Sequence, residues 1–240
     1  MGADIFGMAF RDFMEGDENE VILVHTDITE TEELPVVYFF RGYDAMPQWE
    51  QIALDACRGR VLDVGAGAGS HALLLQERGH DVTAIDISKG GVDVMKRRGI
   101  KNALHQDFFH FEEQGFDTIL LLMNGLGMAE TLPGLHRIFN HARKLLNPAG
   151  CILLESTDLM YMFEEEDCSY LLPMHERYYG EISYQLEYRD RKGRPFPWLF
   201  ADFDNMAAAA AACGFEVQLL FSGEAHNYLA KLVLPAGEPL

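Results

Sequence analysis

Asp63, the glycines at 65, 67 and 69, and Asp86 are the residues of this sequence whose types and spacing could do chemistry. The run Gly65-Ala-Gly-Ala-Gly69 follows a short apolar segment, Arg60–Val64, and precedes a helical pattern, Ser70–Arg78. The first glycine permits a tight turn, the second lets backbone approach a ligand, and the third lets the helix start close to the strand. The helix N-terminus then offers free N–H groups and a positive dipole end to an anionic part of the ligand. Asp86 stands 21 residues after Gly65, at the end of the next apolar segment, where a carboxylate accepts both hydroxyls of a ribose. Together these residues predict an adenosine-containing ligand. Two details narrow it. Ser70 occupies the place where Gly-x-Gly-x-x-Gly, the nicotinamide fingerprint, requires its last glycine. Asp63 would repel a pyrophosphate and suits a ligand carrying an ammonium and a sulfonium.

Such a loop needs a sheet and helices to hold it. Arg60–Val64, Asp81–Ile87, Asn102–Gln106, Phe116–Met123 and Cys151–Glu155 read as strands, the fourth apolar enough to be buried on both faces. Helices fall between them: Ser70–Arg78 stopped by Gly79, a Ser88-capped helix to Arg98 stopped by Gly99, and Thr131–Leu146. This alternation means a parallel sheet. Upstream, residues 3–15 place Ile5, Met8, Phe10, Phe13 and Met14 at helical spacing, Val21–His25 is a short strand, and Gln48–Cys57 a helix. Downstream, Glu181–Arg189 alternates, with Ile182, Tyr184, Leu186 and Tyr188 on one face, and Pro195–Phe200 returns as its partner. A helix over 202–213 and an antiparallel pair, 215–221 and 228–234, finish the chain. The expected fold is α/β: a doubly wound, mostly parallel seven-stranded Rossmann-like sheet with an antiparallel C-terminal edge strand, an N-terminal cap and an inserted hairpin. By segment, 1–59 is a cap or lid and 60–157 the cofactor-binding core. Residues 158–200 are an insertion forming a substrate lid, and 201–240 complete the core.

The segment Val61-Leu-Asp-Val-Gly-Ala-Gly-Ala-Gly69 resembles the first motif of class I S-adenosylmethionine-dependent methyltransferases. Further motifs of that family follow in order: Val82–Asp86, Gln106-Asp107-Phe108, Phe116–Asn124 and Leu145–Gly150. The resemblance covers residues 60–157, and Phe39–Gly79 is similar to a group of small uncharacterised bacterial members. It implies that S-adenosylmethionine is bound and leaves as S-adenosylhomocysteine. It implies that Gly65, Ala66, Gly67 and Gly69 line the methionine portion above Asp63, and that Asp86 binds the ribose with Ile87 against the adenine. Asp107 would accept the adenine amino group, Phe108 would offer its N–H and an apolar wall, and Asn124 would lie beside the methionine amine and the moving methyl. Arg41, within the aromatic run Tyr38–Tyr43, would meet the methionine carboxylate. The plain alternatives are a turn cap for Asp107, a turn residue for Asn124 and a solvated side chain for Arg41.

Methyl transfer is an in-line displacement that the cofactor itself activates, so a general base is required only for an acceptor that arrives protonated. No obligatory catalytic residue is therefore readable. The candidates are Glu155, at a strand end where ligands of open α/β sheets bind, with Asp158, His71 and Tyr43. His71 also reads as a first-turn surface residue. Two other functions remain open at this point: an NAD(P)-dependent oxidoreductase on a similar sheet, and a non-catalytic cofactor-binding scaffold.

Charge bounds the partners. The 240 residues carry 38 Asp and Glu against 19 Lys and Arg, a net of −19. That excludes the basic footprint of a nucleic-acid binder and disfavours an anionic membrane surface. The acid is uneven: residues 1–60 hold −9, 61–154 only −1, and 155–168 hold −6. The acidic flanks either favour a neutral or cationic small-molecule acceptor or simply keep the surface soluble. The Asn/Asp-Pro-Pro-Tyr/Phe motif of amide and base methylation is absent, because Asn124 is followed by Gly-Leu-Gly. Cys57, Cys151, Cys168 and Cys213 are scattered and read as reduced thiols, the Glu164–Asp167 run reads as a solvated loop, and no metal is expected. Without a leader pattern or an apolar run of ~20 residues, the expectation is a soluble, cytoplasmic chain.

Overall fold

Asp4 opens the first helix, α1 (Ile5–Met14), by accepting the Gly7 N–H on Oδ1 at 3.0 Å. The computed structural model describes residues 2–163 and 177–235, so Cys168 and the Glu164–Asp167 run lie outside the described residues. After α1 the chain makes a hairpin of β1 (Val21–Thr26) and β2 (Glu32–Pro35), then α2 (Gln48–Asp55). The alternating part runs β3 (Arg60–Val64), α3 (Ser70–Glu77), β4 (Asp81–Asp86), α4 (Lys89–Arg97), β5 (Ala103–His105), β6 (Phe116–Leu121), α5 (Gly134–Leu145) and β7 (Leu146–Thr157). It continues with β8 (Glu181–Tyr188), β9 (Arg191–Lys192) and β10 (Phe196–Leu199). The chain then closes with α6 (Phe203–Ala212), β11 (Glu216–Ser222) and β12 (Asn227–Val233).

The larger sheet has seven strands in the order β11-β12-β7-β6-β3-β4-β5. Its strands from β7 to β5 are parallel, and β12 runs antiparallel to both its neighbours. The last strand is thus inside the sheet, and β11 is the edge. Alternation explains the two cores. In β6, Ile119 and Leu121 turn to the face covered by α5 and α6, while Leu120 turns to the face with α2 and α3; all three are fully buried. The segment Asn147–Gly150, which precedes the expected strand Cys151–Glu155, belongs to β7 as well. The ladder absorbs it through a register shift between Phe116 and Thr118.

The remaining strands form a second, wholly antiparallel sheet in the order β10-β8-β1-β2, with β9 on β8. It joins chain ends far apart in sequence, with Val24 opposite Leu186 and Ile182 opposite Trp198. Ile22, Val24, Leu186 and Tyr188 give it an apolar face, on which Ile5, Ala9 and Phe10 of α1 pack together with Ala68 and Val94 of the larger unit. Arg189 fastens its outer turn by reaching Asp12, Asp17 and Glu20. Three acids of the N-terminal stretch are thereby spent on structure.

The α1 helix crosses α4 at two glycines. A Cβ on Gly90 would stand 2.5 Å from the Gly7 Cα, so neither position admits a side chain without moving backbone. Asp4 fixes the crossing by accepting from Gly90 N at 2.9 Å and from the Ser88 hydroxyl at 2.7 Å. One carboxylate therefore satisfies donors at the N-termini of two helices. No helix among the described residues is long and apolar enough to cross a membrane.

Candidate active site

Past Val64 the loop is tied to the end of β4: Gly65 N and Ala66 N both donate to Ile85 O, at 2.9 and 3.1 Å. Asp86 then locks it. Its Oδ2 accepts from Gly67 N at 2.8 Å and its Oδ1 from Ser88 N at 2.7 Å, so one carboxylate joins the loop to the start of α4. Gly69 caps α3 with φ of +85°, and a Cβ there would strike Ile100 and Met95; glycine is required by both backbone and space. Gly65, at φ +69°, has nothing within 4 Å of where a Cβ would stand, which leaves an open face on the loop. Beside it Ile87 is 74% exposed, a large apolar side chain standing free at the strand end.

Burial pushes the Asp86 carboxyl up to about 6, the Ser88 and Gly67 N–H groups pull it down, and Asp4 and Asp63 add to the rise. Hydroxyls donated to Asp86 favour its charged form. S-adenosylhomocysteine, the ligand that the motif series implies, is therefore expected to bind more tightly as pH rises from 5 to 7 and to level off above. Calorimetry across that range checks it, and Asp86→Asn should flatten the step.

Beneath the loop lies a buried ionisable cluster. Asp63 is 2% exposed, and its Oδ2 has no hydrogen-bond partner among the described residues. Burial holds its carboxyl above the usual range, against the His71 charge and a bond from the Ala72 N–H. His71, in the first turn of α3, places Nε2 2.8 Å from Oε2 of Glu50, whose Oε1 is ion-paired with Arg41. Burial pulls the His71 imidazole down. The Glu50 hydrogen bond and the charges of Asp63 and Glu50 outweigh it and raise the group above its ordinary value. Arg41 also donates to Tyr38 O at 2.6 Å, while its Nε is buried with no partner among the described residues.

Glu155 and Asn124 sit at the ends of β7 and β6. Glu155, 8% exposed, accepts from Met123 N at 2.9 Å. Asn124 points elsewhere: its Nδ2 donates to Leu199 O and its Oδ1 accepts from the Ser156 hydroxyl. Both polar ends of that side chain are taken by structure, and its carbonyl oxygen accepts from Gly127 N at 2.9 Å.

Other expected residues are placed apart. Tyr43 donates to Asp55 at the end of α2 and lies under Arg78, just past α3. That is about 12 Å along α3 from the glycine loop, by its eight residues at 1.5 Å each. Asp107 caps the short turn Phe108–His110 through Phe109 N, and Phe108 packs edge-on against His141. Asp158 is held by the Tyr179 hydroxyl and Met160 N. Sequence reasoning missed Glu50, Asp4 and Ser156. Glu50 carried no signal beyond being an acid on the apolar side of a predicted helix.

The orphaned polar atoms suggest what fits. Among the described residues Arg41 Nε is a buried donor without an acceptor and Asp63 Oδ2 a buried acceptor without a donor. Asp63, Asp86, Glu50 and Glu155 supply the negative charge, and the Arg41 ion pair is committed to Glu50. A cationic adenosine ligand suits this surround; a pyrophosphate does not.

Comparison with known proteins agrees. The family model described as a methyltransferase domain matches residues 41–219. The chain is 42% identical to an S-adenosylmethionine-dependent methyltransferase from Bacteroides fragilis solved in complex with S-adenosylhomocysteine, with a TM-score of 0.89 over 97% of this chain and 95% of that one. It is 25% identical over 146 residues to the putative methyltransferase YqeM of Bacillus subtilis, covering 54% of this chain and 58% of that protein. It is 27% identical over 110 residues to the ubiquinone biosynthesis O-methyltransferase of Pasteurella multocida, covering 40% of this chain and 46% of that protein. The chain spans about half the length of these curated relatives.

Proposed function

Because this chain belongs to the S-adenosylmethionine-dependent methyltransferases, we propose that it methylates a neutral or cationic small molecule admitted beneath a cap to which residues 2–59, 158–163 and 177–200 contribute. The cofactor supplies a methyl group already activated by its sulfonium. What remains for the protein is to hold, align and dehydrate. Gly65, Ala66, Gly67 and Gly69 would hold the methionine portion above Asp63, with Arg41 Nε for its carboxylate. Asp86 would take the ribose hydroxyls, Ile87 and Phe108 the adenine faces, and Asp107 its amino group.

The observation that carries this reading is the open face over Gly65, bounded by Asp86 and the exposed Ile87 and underlain by buried acids. The preference for a neutral or cationic acceptor rests on the acidic flanks and on Glu155 at the strand end. A thermal-shift comparison tests the cofactor: S-adenosylhomocysteine is expected to raise Tm and NAD to leave it unchanged. Stabilisation by NAD alone would overturn the reading. Turnover is then sought on a panel of small amines, alcohols and thiols. Binding of cofactor with no turnover across that panel would favour a scaffold that has lost transfer.

A further inference from the structure

Glu155 stands two residues before the end of β7, and the residues that precede it, Leu153 and Leu154, are fully buried. Alternation turns it to the side of the sheet holding α2 and α3, together with Leu153 and its cross-strand partner Leu229. That side also carries the Arg41–Glu50–His71 cluster, in which Glu50 of α2 is bonded to Arg41 from the segment before α2 and to His71 of α3. The charges of this cluster act on Glu155 as its own acts on Tyr228 of β12. Among the described residues no ion pair reaches Glu155, because both cations are bonded to Glu50. Its partner is the Met123 N–H, presented by a strand end where Met123 and Asn124 both adopt the left-handed region, at φ of 52° and 53°. Two consecutive non-glycine residues in that region are strained, and such strain gathers at functional sites. Met123 itself is 36% exposed, so this buried carboxylate lies one hydrogen bond behind a residue that reaches solvent.

We propose that Glu155 accepts the proton released by the methyl acceptor, and that Glu50, clamped between Arg41 and His71, is the positioning residue that sets its proton affinity. This rests on the methyltransferase reading and deepens it, since it assigns the acceptor an N–H, O–H or S–H at the reacting atom. In the step, the lone pair of that atom bonds to the methyl carbon, the carbon–sulfur bond breaks with its electron pair going to sulfur, and the acceptor proton moves to a Glu155 oxygen. The positive charge of the sulfonium and the negative charge of Glu155 cancel. A neutral thioether, a methylated acceptor and a neutral carboxyl remain.

Burial, with the Glu50 charge, pushes Glu155 up to about 7, while the Met123 N–H, His71 and Arg41 restrain the rise. A base with that proton affinity is suited to work at neutral pH. Glu50→Gln removes a negative neighbour and releases two cations, so it must lower the Glu155 value.

The test is an infrared titration of the carboxylic acid band in the full chain, ligand-free, with Glu155→Gln as the blank that identifies the Glu155 component. Should Glu155→Gln fail to fold, Glu155→Asp displaces the band and serves as the blank. A midpoint near 7 in the wild type, falling by at least one pH unit in Glu50→Gln, supports the proposal. A midpoint in the ordinary carboxylate range, or one unmoved by Glu50→Gln, overturns it. On an acceptor found with the panel, Glu155→Gln should lower kcat by about 10²- to 10⁴-fold and remove the pH-dependent limb near 7, with S-adenosylhomocysteine affinity by calorimetry unchanged. An unchanged pH profile would also overturn it. If the wild type does not bind S-adenosylhomocysteine, the function itself falls; if it binds while Glu155 titrates ordinarily, only this inference does.

Discussion

Asp86→Ala is expected to weaken S-adenosylhomocysteine binding by about 10- to 150-fold, the equivalent of ~1.5–3 kcal/mol for a charge-assisted contact. The loss has two sources that act in the same direction. One is the carboxylate offered to the ribose hydroxyls. The other is the loop itself, because the same carboxylate holds Gly67 N and Ser88 N, and alanine leaves both donors without an acceptor. Asp86→Asn separates them. Its single amide oxygen can keep one N–H bond, while its NH2 group opposes the second, so the loop is half restored and the charge is gone. Calorimetry showing wild-type affinity for either variant would remove Asp86 from the site.

The ligand-free stability of Asp86→Asn should move the opposite way. The folded carboxyl titrates at about 6, above its ordinary 3.8, so ionising it costs stability as pH rises through that interval. At pH 5 the wild-type group is mostly neutral and asparagine is nearly isosteric with it. At pH 8 the wild type carries the buried charge and the variant does not. The Tm difference, variant minus wild type, should therefore be more positive at pH 8 than at pH 5. A binding group that weakens the fold it sits in is what a functional carboxylate looks like.

The glycine loop and Asp86 were legible because their geometry is local. A strand, a turn and a helix follow one another over residues 60–77, and the turn chemistry is carried by the glycines themselves. Of the second sheet, three strands and the pairing of β8 with β10 were legible, but not the assembly that joins these two to β1 and β2. Its pairing of Val24 with Leu186 joins segments 162 residues apart, and β2 reads Glu-Glu-Leu-Pro, without alternation and ending in proline. Glu50, His71 and Glu155 lie on three elements, and only the packing of α2 and α3 on one face of the sheet sets them on the same side of it. For Asn124 the motif gave a position just past β6 and none of the partners its side chain takes there. The hydrogen bonds that claim it come from Ser156 and Leu199, residues that no local pattern connects to it.

The α1–α4 crossing was equally hidden, and it yields the largest expected change in stability. Gly90→Ala places a Cβ 2.5 Å from the Gly7 Cα and 2.8 Å from its carbonyl carbon and oxygen. Those are backbone atoms, so no rotamer change relieves the clash, and carbon contacts of about 3.5–4.0 Å require α1 to retreat by about 1 Å. Overpacking of this kind costs ~1–3 kcal/mol. The retreat also breaks the bonds from Gly90 N and Ser88 to Asp4, adding about 1 kcal/mol for the lost cap. At about 2–4 °C per kcal/mol for a chain of this size, Tm should fall by roughly 4–16 °C. The effect should reach the loop as well. Phe10 of α1 and Phe39 stand within 4 Å of where a Gly67 Cβ would lie, so a displaced α1 withdraws the wall behind the loop and shrinks the Tm rise given by S-adenosylhomocysteine. Lys89→Ala, exposed on the same turn of α4, is the control and should leave Tm within about 2 °C. Gly7→Ala adds the mirror clash, yet the double variant should cost clearly less than the sum of the singles, because a crossing already opened by one Cβ has room for the other. Full additivity, or a Gly90→Ala Tm equal to that of the Lys89 control, would mean that α1 does not rest on α4 in solution.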